Sequence, residues 1–156
     1  MQLKKKQLQT GQIDKYKSRL CICGNELISQ SYETFSPTIS ALAYATVHQI
    51  SVIDRMHMCT VDTVGAYLYQ DYPDSSIPLY MKLPSNLAKS IDLDPTIWYR
   101  IRKYLYGLPD SGRAYYRAYS TLLIDNFYNR TKSDPCLFVK INGKTRTYIF
   151  MLKTLS

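Results

Sequence analysis

Charged and apolar positions alternate near the start of the chain. Lys15, Lys17 and Arg19 fall on one side of the alternation over residues 15–23, and the other side is mostly apolar. A period of two is typical of a strand with one exposed face. The pattern therefore predicts a strand with a basic face, ended by the turn signal Gly24-Asn25.

Three further stretches predict strands from their apolar and β-branched content. They cover residues 56–62, 77–83 and 97–106. The first leads into Asp62 and is followed by a predicted turn or short helix over 63–70. The segment 85–96 is polar and predicts a loop.

Two stretches have the spacing of helices instead. Ser36-Pro37-Thr38 favours a helix start and predicts a helix over 38–51. A second helix is predicted over 111–126, after the turn at 107–112, because its apolar residues recur at helical spacing. These residues are Tyr115, Tyr119, Leu122 and Leu123.

The end of the chain predicts a β-hairpin. Asn142-Gly143 separates the β-prone runs 136–141 and 145–152, and Asn-Gly is a strong hairpin signal because both residues tolerate positive φ. Along the whole chain, the predicted strands and helices follow one another in an irregular order, which predicts an α+β fold.

The charge is strongly basic, with 20 Lys and Arg against 12 Asp and Glu and a formal net charge of +8. Such a balance favours phosphate backbones or anionic membranes as partners, although solvated lysines would give the same numbers. Residues 1–12 form a basic N-terminal extension. A second basic stretch, 100–117, contains tyrosines, and aromatic residues among cations suit stacking on bases.

The four cysteines have poor spacing for zinc and apolar neighbours. We expect buried, reduced thiols and therefore an intracellular location. The chain has no apolar run of a signal peptide and no stretch of the ~20 apolar residues that a membrane span needs.

Asp62 and Tyr67 are the candidate functional residues in the middle of the chain. A carboxylate at a strand end can hold a divalent metal, and an aromatic ring five residues later can lie under a bound nucleotide. The same pattern also fits an aspartate that caps a turn and a tyrosine that packs in the core.

Five short motifs occur in one order along residues 13–152. They are Lys15-Tyr-Lys-Ser-Arg-Leu20, Tyr32-Glu-Thr-Phe-Ser-Pro37, Asp62-Thr-Val-Gly-Ala-Tyr-Leu68, Leu105-Tyr-Gly-Leu108 and Lys132-Ser-Asp-Pro-Cys-Leu137. With them the sequence resembles the copia-type reverse transcriptase domain of LTR-retrotransposon polyproteins. The resemblance implies part of a right-hand polymerase, with fingers over about 13–55 and the N-terminal part of the palm over about 56–156.

The resemblance also implies roles for particular residues. Asp62 corresponds to the first catalytic carboxylate, with the backbone carbonyl of Thr63 as a second oxygen ligand of magnesium (Mg2+). Tyr67 corresponds to the aromatic gate that selects deoxynucleotides. Lys17 and Arg19 correspond to the basic strand that grips the triphosphate.

The turn at Pro109 and Asp110 corresponds to the loop that contacts the template base and the nucleotide. Many family members have Lys or Gln here, so this chain departs from the family pattern at the residues of this contact. The family pattern Val-Ala-Lys-Gly is replaced by Cys21-Ile-Cys-Gly24, which loses a lysine.

The family places a Tyr-x-Asp-Asp hairpin directly after the strand that corresponds to Tyr148–Leu152. Here the sequence continues as Lys-Thr-Leu-Ser156, and no acidic residue follows Asp134. We therefore expect this chain alone to be inactive, to bind Mg2+ weakly and to be marginally stable, with an open strand edge.

The partners implied for the complete parent are an RNA or DNA template-primer, deoxynucleotides, and the missing palm, thumb and RNase H segments, with no membrane. Its location would be cytoplasmic, in a virus-like particle. Two alternatives remain open from the residues. One is an inactive remnant that only binds nucleic acid through its basic surface, and the other is a basic structural module without metal.

Overall fold

The computed structural model describes residues 2–24, 27, 34–73 and 77–152. The helices are α1 (Ala41–Ile53), α2 (Ser85–Ser90) and α3 (Ser111–Asp125). The strands are β1 (Gln2–Gln7), β2 (Ile13–Arg19), β3 (Tyr80–Met81), β4 (Tyr99–Arg100), β5 (Asn129–Arg130), β6 (Leu137–Asn142) and β7 (Thr145–Phe150). This mixture of helices and antiparallel strand pairs agrees with the predicted α+β class.

The chain divides into two compact units. The first comprises Met1–Thr34 and Gly65–Ala114, and the second comprises Phe35–Val64 and Tyr115–Ser156. The first unit contains the β1–β2 and β3–β4 pairs. Its core is built around Tyr72, Tyr104 and Leu108.

The second unit contains the three-stranded sheet β5–β6–β7. Phe138 and Cys136 are its fully buried side chains, and burial raises the pKa of Cys136 to about 11. Asp134 is also buried, and its carboxylate accepts hydrogen bonds from the backbone amides of Ser40 and Cys136, both at 2.8 Å. This side chain thereby joins the start of α1 to the start of β6.

Both predicted helices and the hairpin are confirmed. The first helix begins at Ala41 instead of residue 38, because Ser40 is the cap and its hydroxyl accepts from the Ala43 amide at 3.2 Å. In the hairpin, Asn142 pairs with Thr145, so the two-residue loop is Gly143-Lys144 rather than Asn142-Gly143. Gly143 has φ of 58°, the positive angle that the first loop residue needs.

The predicted strand over 56–62 is wrong. These residues have no regular structure, and Met58 and Val61 are exposed. The segment has the apolar residues of a strand, but a strand needs a neighbouring strand to pair with, and none of the described strands pairs with this segment.

The predicted strands over 77–83 and 97–106 are too long, since regular pairing covers only Tyr80–Met81 with Tyr99–Arg100. The predicted loop over 85–96 is wrong in its first half, which forms α2. The basic strand predicted over 15–23 is confirmed as β2 but starts at Ile13 and ends at Arg19. It pairs with β1, which the sequence did not predict.

All four cysteines are free thiols. The expected burial holds for Cys136 and is wrong for Cys23 and Cys59, which are exposed. Among the described residues, no helix is long and apolar enough to cross a membrane. Asn25 of the predicted turn, and Tyr32 and Glu33 of the second motif, lie outside the described residues.

Candidate functional site

Three side chains that are far apart in the sequence meet in the first unit. The guanidinium carbon of Arg19 lies over the ring of Tyr106, 5.2 Å from its centroid. The ring of Tyr67 meets the same Tyr106 ring edge to face, with centroids 5.3 Å apart. A cation and an aromatic face are thus held together by a shared tyrosine, at distances that are favourable for both kinds of contact.

Backbone pairing holds Tyr106 against the end of the basic strand. Just beyond β2, the amide of Ile22 donates to the carbonyl of Tyr106 at 2.8 Å, and Cys21 forms a parallel bridge with Tyr106. Residue 19 is therefore fixed relative to residue 106 by hydrogen bonds rather than by side chains alone.

Two glycines allow this approach. A Cβ at Gly24 would collide with the carbonyl oxygen of Gly107, and a Cβ at Gly107 would collide with the carbonyl oxygen of Ile22. Gly107 also has φ of 94°, which other residues rarely adopt. The glycine of the motif Leu105-Tyr-Gly-Leu108 is thus required by close packing of two backbones.

The other predicted residues of the first unit have different surroundings. The backbone of Lys17 pairs in β2 with that of Lys4 in β1. Pro109 and Asp110 directly precede α3, and the Asp110 carbonyl accepts the first helical hydrogen bond, from Ala114. The Asp110 carboxylate is half-buried and accepts from the hydroxyl of Tyr104 at 3.3 Å. A negative group at a helix start stabilises the helix, which gives Asp110 a structural role.

Asp62 and Thr63 belong to the second unit and are both exposed. The hydroxyls of Thr63 and Tyr115 are 2.9 Å apart. This hydrogen bond fixes the irregular segment to α3, so a rigid helix positions the residue next to Asp62 in place of the predicted strand.

The carboxylate of Asp62 and the neighbouring carbonyl are oxygen donors of the kind that Mg2+ prefers. Among the described residues, however, no three His, Cys, Asp or Glu side chains lie close enough to hold a metal ion. By themselves, the described residues do not fit a two-metal centre.

Sequence reasoning missed the roles of Tyr106 and Tyr115. Tyr106 belongs to the motif Leu105-Tyr-Gly-Leu108. Its contacts join it to Arg19, 87 positions earlier, and to Tyr67, 39 positions earlier, and local sequence does not show such contacts. Tyr115 was assigned to the apolar stripe of α3, and its hydroxyl instead bonds Thr63. The interleaving of tyrosines with basic residues was the available signal for Tyr106.

The structure thus brings Arg19 and Tyr67 together in one unit and leaves the carboxylate of Asp62 exposed in the other. The sequence model of the family described as "Reverse transcriptase (RNA-dependent DNA polymerase)" matches residues 2–153. The chain belongs to this family, in its copia-type branch.

Its curated relatives are retrotransposon polyproteins. The chain is 31% identical over 150 residues to the retrovirus-related Pol polyprotein from transposon RE1 of Arabidopsis thaliana, covering 94% of this chain and 10% of the relative. It is 32% identical to the Pol polyprotein from transposon RE2 of the same plant, covering 91% and 9%. It is 24% identical to that from transposon TNT 1-94 of Nicotiana tabacum, covering 88% and 10%.

The chain therefore spans about a tenth of the length of the curated relatives that it matches. No solved structure matches it significantly.

Proposed function

We propose that this chain is the nucleotide-binding part of an RNA-directed DNA polymerase within a larger retrotransposon polyprotein. The observation that carries the proposal is the contact of Arg19 and Tyr67 with the same Tyr106 ring. These two residues have separate roles in the family resemblance, and the fold of the first unit brings them together. Fingers would extend over about 13–55, and the N-terminal part of the palm would follow.

Arg19 would bind the triphosphate of the incoming deoxynucleotide. A guanidinium forms paired, charge-assisted hydrogen bonds with phosphate oxygens, and these are stronger than neutral ones. The Tyr106 ring limits the directions in which Arg19 can point, so less conformational freedom is lost when the phosphate binds. Lys17, on the same strand, adds positive charge.

Tyr67 would select the sugar. Its half-buried ring is fixed edge to face against Tyr106, so it cannot easily move aside for a 2′-hydroxyl. A rigid aromatic wall excludes a larger sugar by steric overlap, while a deoxyribose packs against it. Pro109 and Asp110 would contribute the neighbouring turn that faces the template base and the nucleotide.

Asp62 would supply one carboxylate ligand for Mg2+, with the Thr63 carbonyl beside it. In this class of reaction, divalent metals stabilise the attacking and leaving oxygens of nucleotidyl transfer. The remaining carboxylates would come from other segments of the complete polyprotein, which would also bind the template-primer.

The test is primer extension by the complete polyprotein on an RNA template, comparing deoxynucleotides with ribonucleotides. Tyr67→Val should raise relative ribonucleotide incorporation at least about tenfold, because differences of one small group in a fitted pocket reach this size. Arg19→Gln should raise the KM for deoxynucleotides about tenfold through the lost charged hydrogen bonds. Asp62→Asn should abolish extension.

Tyr69→Val is the matched control, since Tyr69 is an exposed tyrosine of the same turn and is 69% accessible. It should leave the sugar preference unchanged. An unchanged preference in Tyr67→Val, or extension that survives Asp62→Asn, would refute the assignment of these residues.

A second candidate function is nucleic-acid binding without catalysis. The β1–β2 register favours it, because Lys4 pairs with Lys17 and Lys6 pairs with Lys15. Like charges directly opposite each other destabilise a strand pair unless an anion lies between them. A phosphate backbone would supply that anion, and this candidate predicts binding to nucleic acid with no metal-dependent extension in the complete polyprotein.

A further inference from the structure

The β3–β4 pair has two exposed aromatic side chains on one face. Trp98 and Tyr80 are 63% and 52% accessible, respectively. Large aromatic side chains contribute much of the stabilising free energy of protein cores and interfaces. Two such side chains exposed together on a short ribbon do not provide that stabilisation to the fold. Neither residue belongs to the nucleotide site described above.

The register of the ribbon places cations beside these rings. Tyr80 pairs directly with Arg100. Continuing that register by one position sets Lys82 opposite Trp98, and the Lys82 ammonium lies 5.0 Å from the centroid of the Trp98 ring. Residues opposite each other and two apart share a face of a strand pair, so all four side chains lie on one face.

The opposite face of the ribbon is turned inward. Ile101 is buried, Met81 and Tyr99 are half-buried, and the Ile101 amide donates to the Leu79 carbonyl at 2.8 Å. The ribbon is thus anchored by its apolar face, which holds the four outward side chains on a fixed platform. We call Tyr80, Lys82, Trp98 and Arg100 the aromatic platform.

We propose that the aromatic platform binds single-stranded nucleic acid, with bases stacked on Trp98 and Tyr80 and phosphates contacted by Lys82 and Arg100. Stacking needs an open base face, which a duplex does not offer, while cations beside each ring match the phosphate that follows each base. The net charge of +8 provides the long-range attraction. This inference does not depend on the polymerase function, since it uses neither Asp62, Arg19 nor Tyr67.

The sequence contains its own reporter for this contact. Trp98 is the only tryptophan of the chain, so its fluorescence reports on the platform alone. Titration of the 156-residue chain with a twelve-nucleotide oligo-U or oligo-dT should quench this emission. A duplex of the same length and polyglutamate, which carries charge without bases, should quench it little at equal charge concentration.

Variants separate stacking from charge. Trp98→Ala should weaken binding of labelled oligo-U about tenfold, as loss of one stacked base does, and Trp98→Phe should restore much of it. The matched control is Phe127→Ala, which removes another exposed aromatic ring, 79% accessible, from the second unit. Circular dichroism of each variant checks that it is folded.

Binding of oligo-U without quenching, or equal affinity of Trp98→Ala and the unmodified chain, would overturn the proposal. Equal quenching by polyglutamate would also overturn it, because it would identify an acidic polypeptide as the partner of the platform.

Discussion

At the scale of single residues, the buried carboxylate of Asp134 joins two elements of the second unit. Its two oxygens accept from two backbone amides, of Ser40 at the α1 cap and of Cys136. Burial raises the pKa of this carboxyl, but the hydrogen bonds from Ser40 and Cys136 outweigh burial and lower the pKa below its ordinary value. The ionised form is therefore the one that the fold selects.

This geometry predicts both the cost of substitution and its pH dependence. Asp134→Ala leaves two amides without their acceptor and should lower the free energy of unfolding by about 2–4 kcal/mol. Since the folded pKa is depressed, the stabilisation is fully present above the unfolded pKa and is lost as pH falls through the folded pKa.

Urea denaturation at a series of pH values measures this. The difference between the unmodified chain and Asp134→Asn should be constant from pH 5 to 7 and should shrink below about pH 4. Thr145→Ser, a neutral change at an exposed position of β7, is the control that should show no such trend. A difference that grows on acidification would contradict the assigned sign.

At the scale of elements, close contact between two backbones fixes the end of β2 against the turn before α3. Gly107→Ala should therefore lower the free energy of unfolding by about 3 kcal/mol or more, from positive-φ strain plus collision with Ile22. Gly11→Ala carries a similar strain, with φ of 82°, but its Cβ would meet nothing within 4 Å. It should cost only about 1–2 kcal/mol.

Gly24→Ala isolates the collision, because Gly24 is not among the glycines with positive φ and its Cβ would still meet the Gly107 carbonyl. Urea unfolding of the three variants compares them directly. Equal losses for Gly11→Ala and Gly107→Ala would show that strain alone, and not backbone contact, sets the requirement for glycine.

The elements also show what the sequence could predict. Helix α3 and the β6–β7 hairpin follow from local periodicity and a two-residue turn signal, and both were predicted. The strand predicted over 56–62 was wrong, because strand formation depends on a partner strand that local composition does not reveal. The strand β1 was missed for the complementary reason: its lysines have no apolar alternation, and pairing with β2 alone defines it.

The candidate site also has a part that the sequence could predict and a part that it could not. The family resemblance predicts Arg19, Tyr67 and Asp62 as site residues. It did not reveal that Tyr106 joins the first two, because that contact depends on a backbone bridge between distant segments. The resemblance also did not reveal the hydrogen bond between Thr63 and Tyr115 of α3. This helix, and not the predicted strand, supports the residue beside Asp62.

At the scale of the whole molecule, two basic surfaces of the first unit are the candidates for binding nucleic acid. The β1–β2 hairpin has lysines opposite lysines and should bind phosphates of any nucleic acid. The aromatic platform adds base stacking, which does not release counterions. Stacking on Trp98 and the phosphate contacts of the hairpin lysines should therefore respond differently to salt, because only phosphate contacts contribute to the salt dependence of affinity.

Salt titration of oligo-U binding to the 156-residue chain tests this division. A triple variant Lys4→Gln, Lys6→Gln, Lys15→Gln should reduce the slope of log affinity against log salt by about 2, given ~0.7 per phosphate contact on single strands. Trp98→Ala should lower affinity at every salt concentration and leave the slope unchanged. Lys144→Gln, in the β6–β7 turn of the second unit, is the charge control and should alter neither quantity. An unchanged slope in the triple variant would mean that the opposed lysines of the hairpin do not contact phosphate, and binding would then depend on the platform alone.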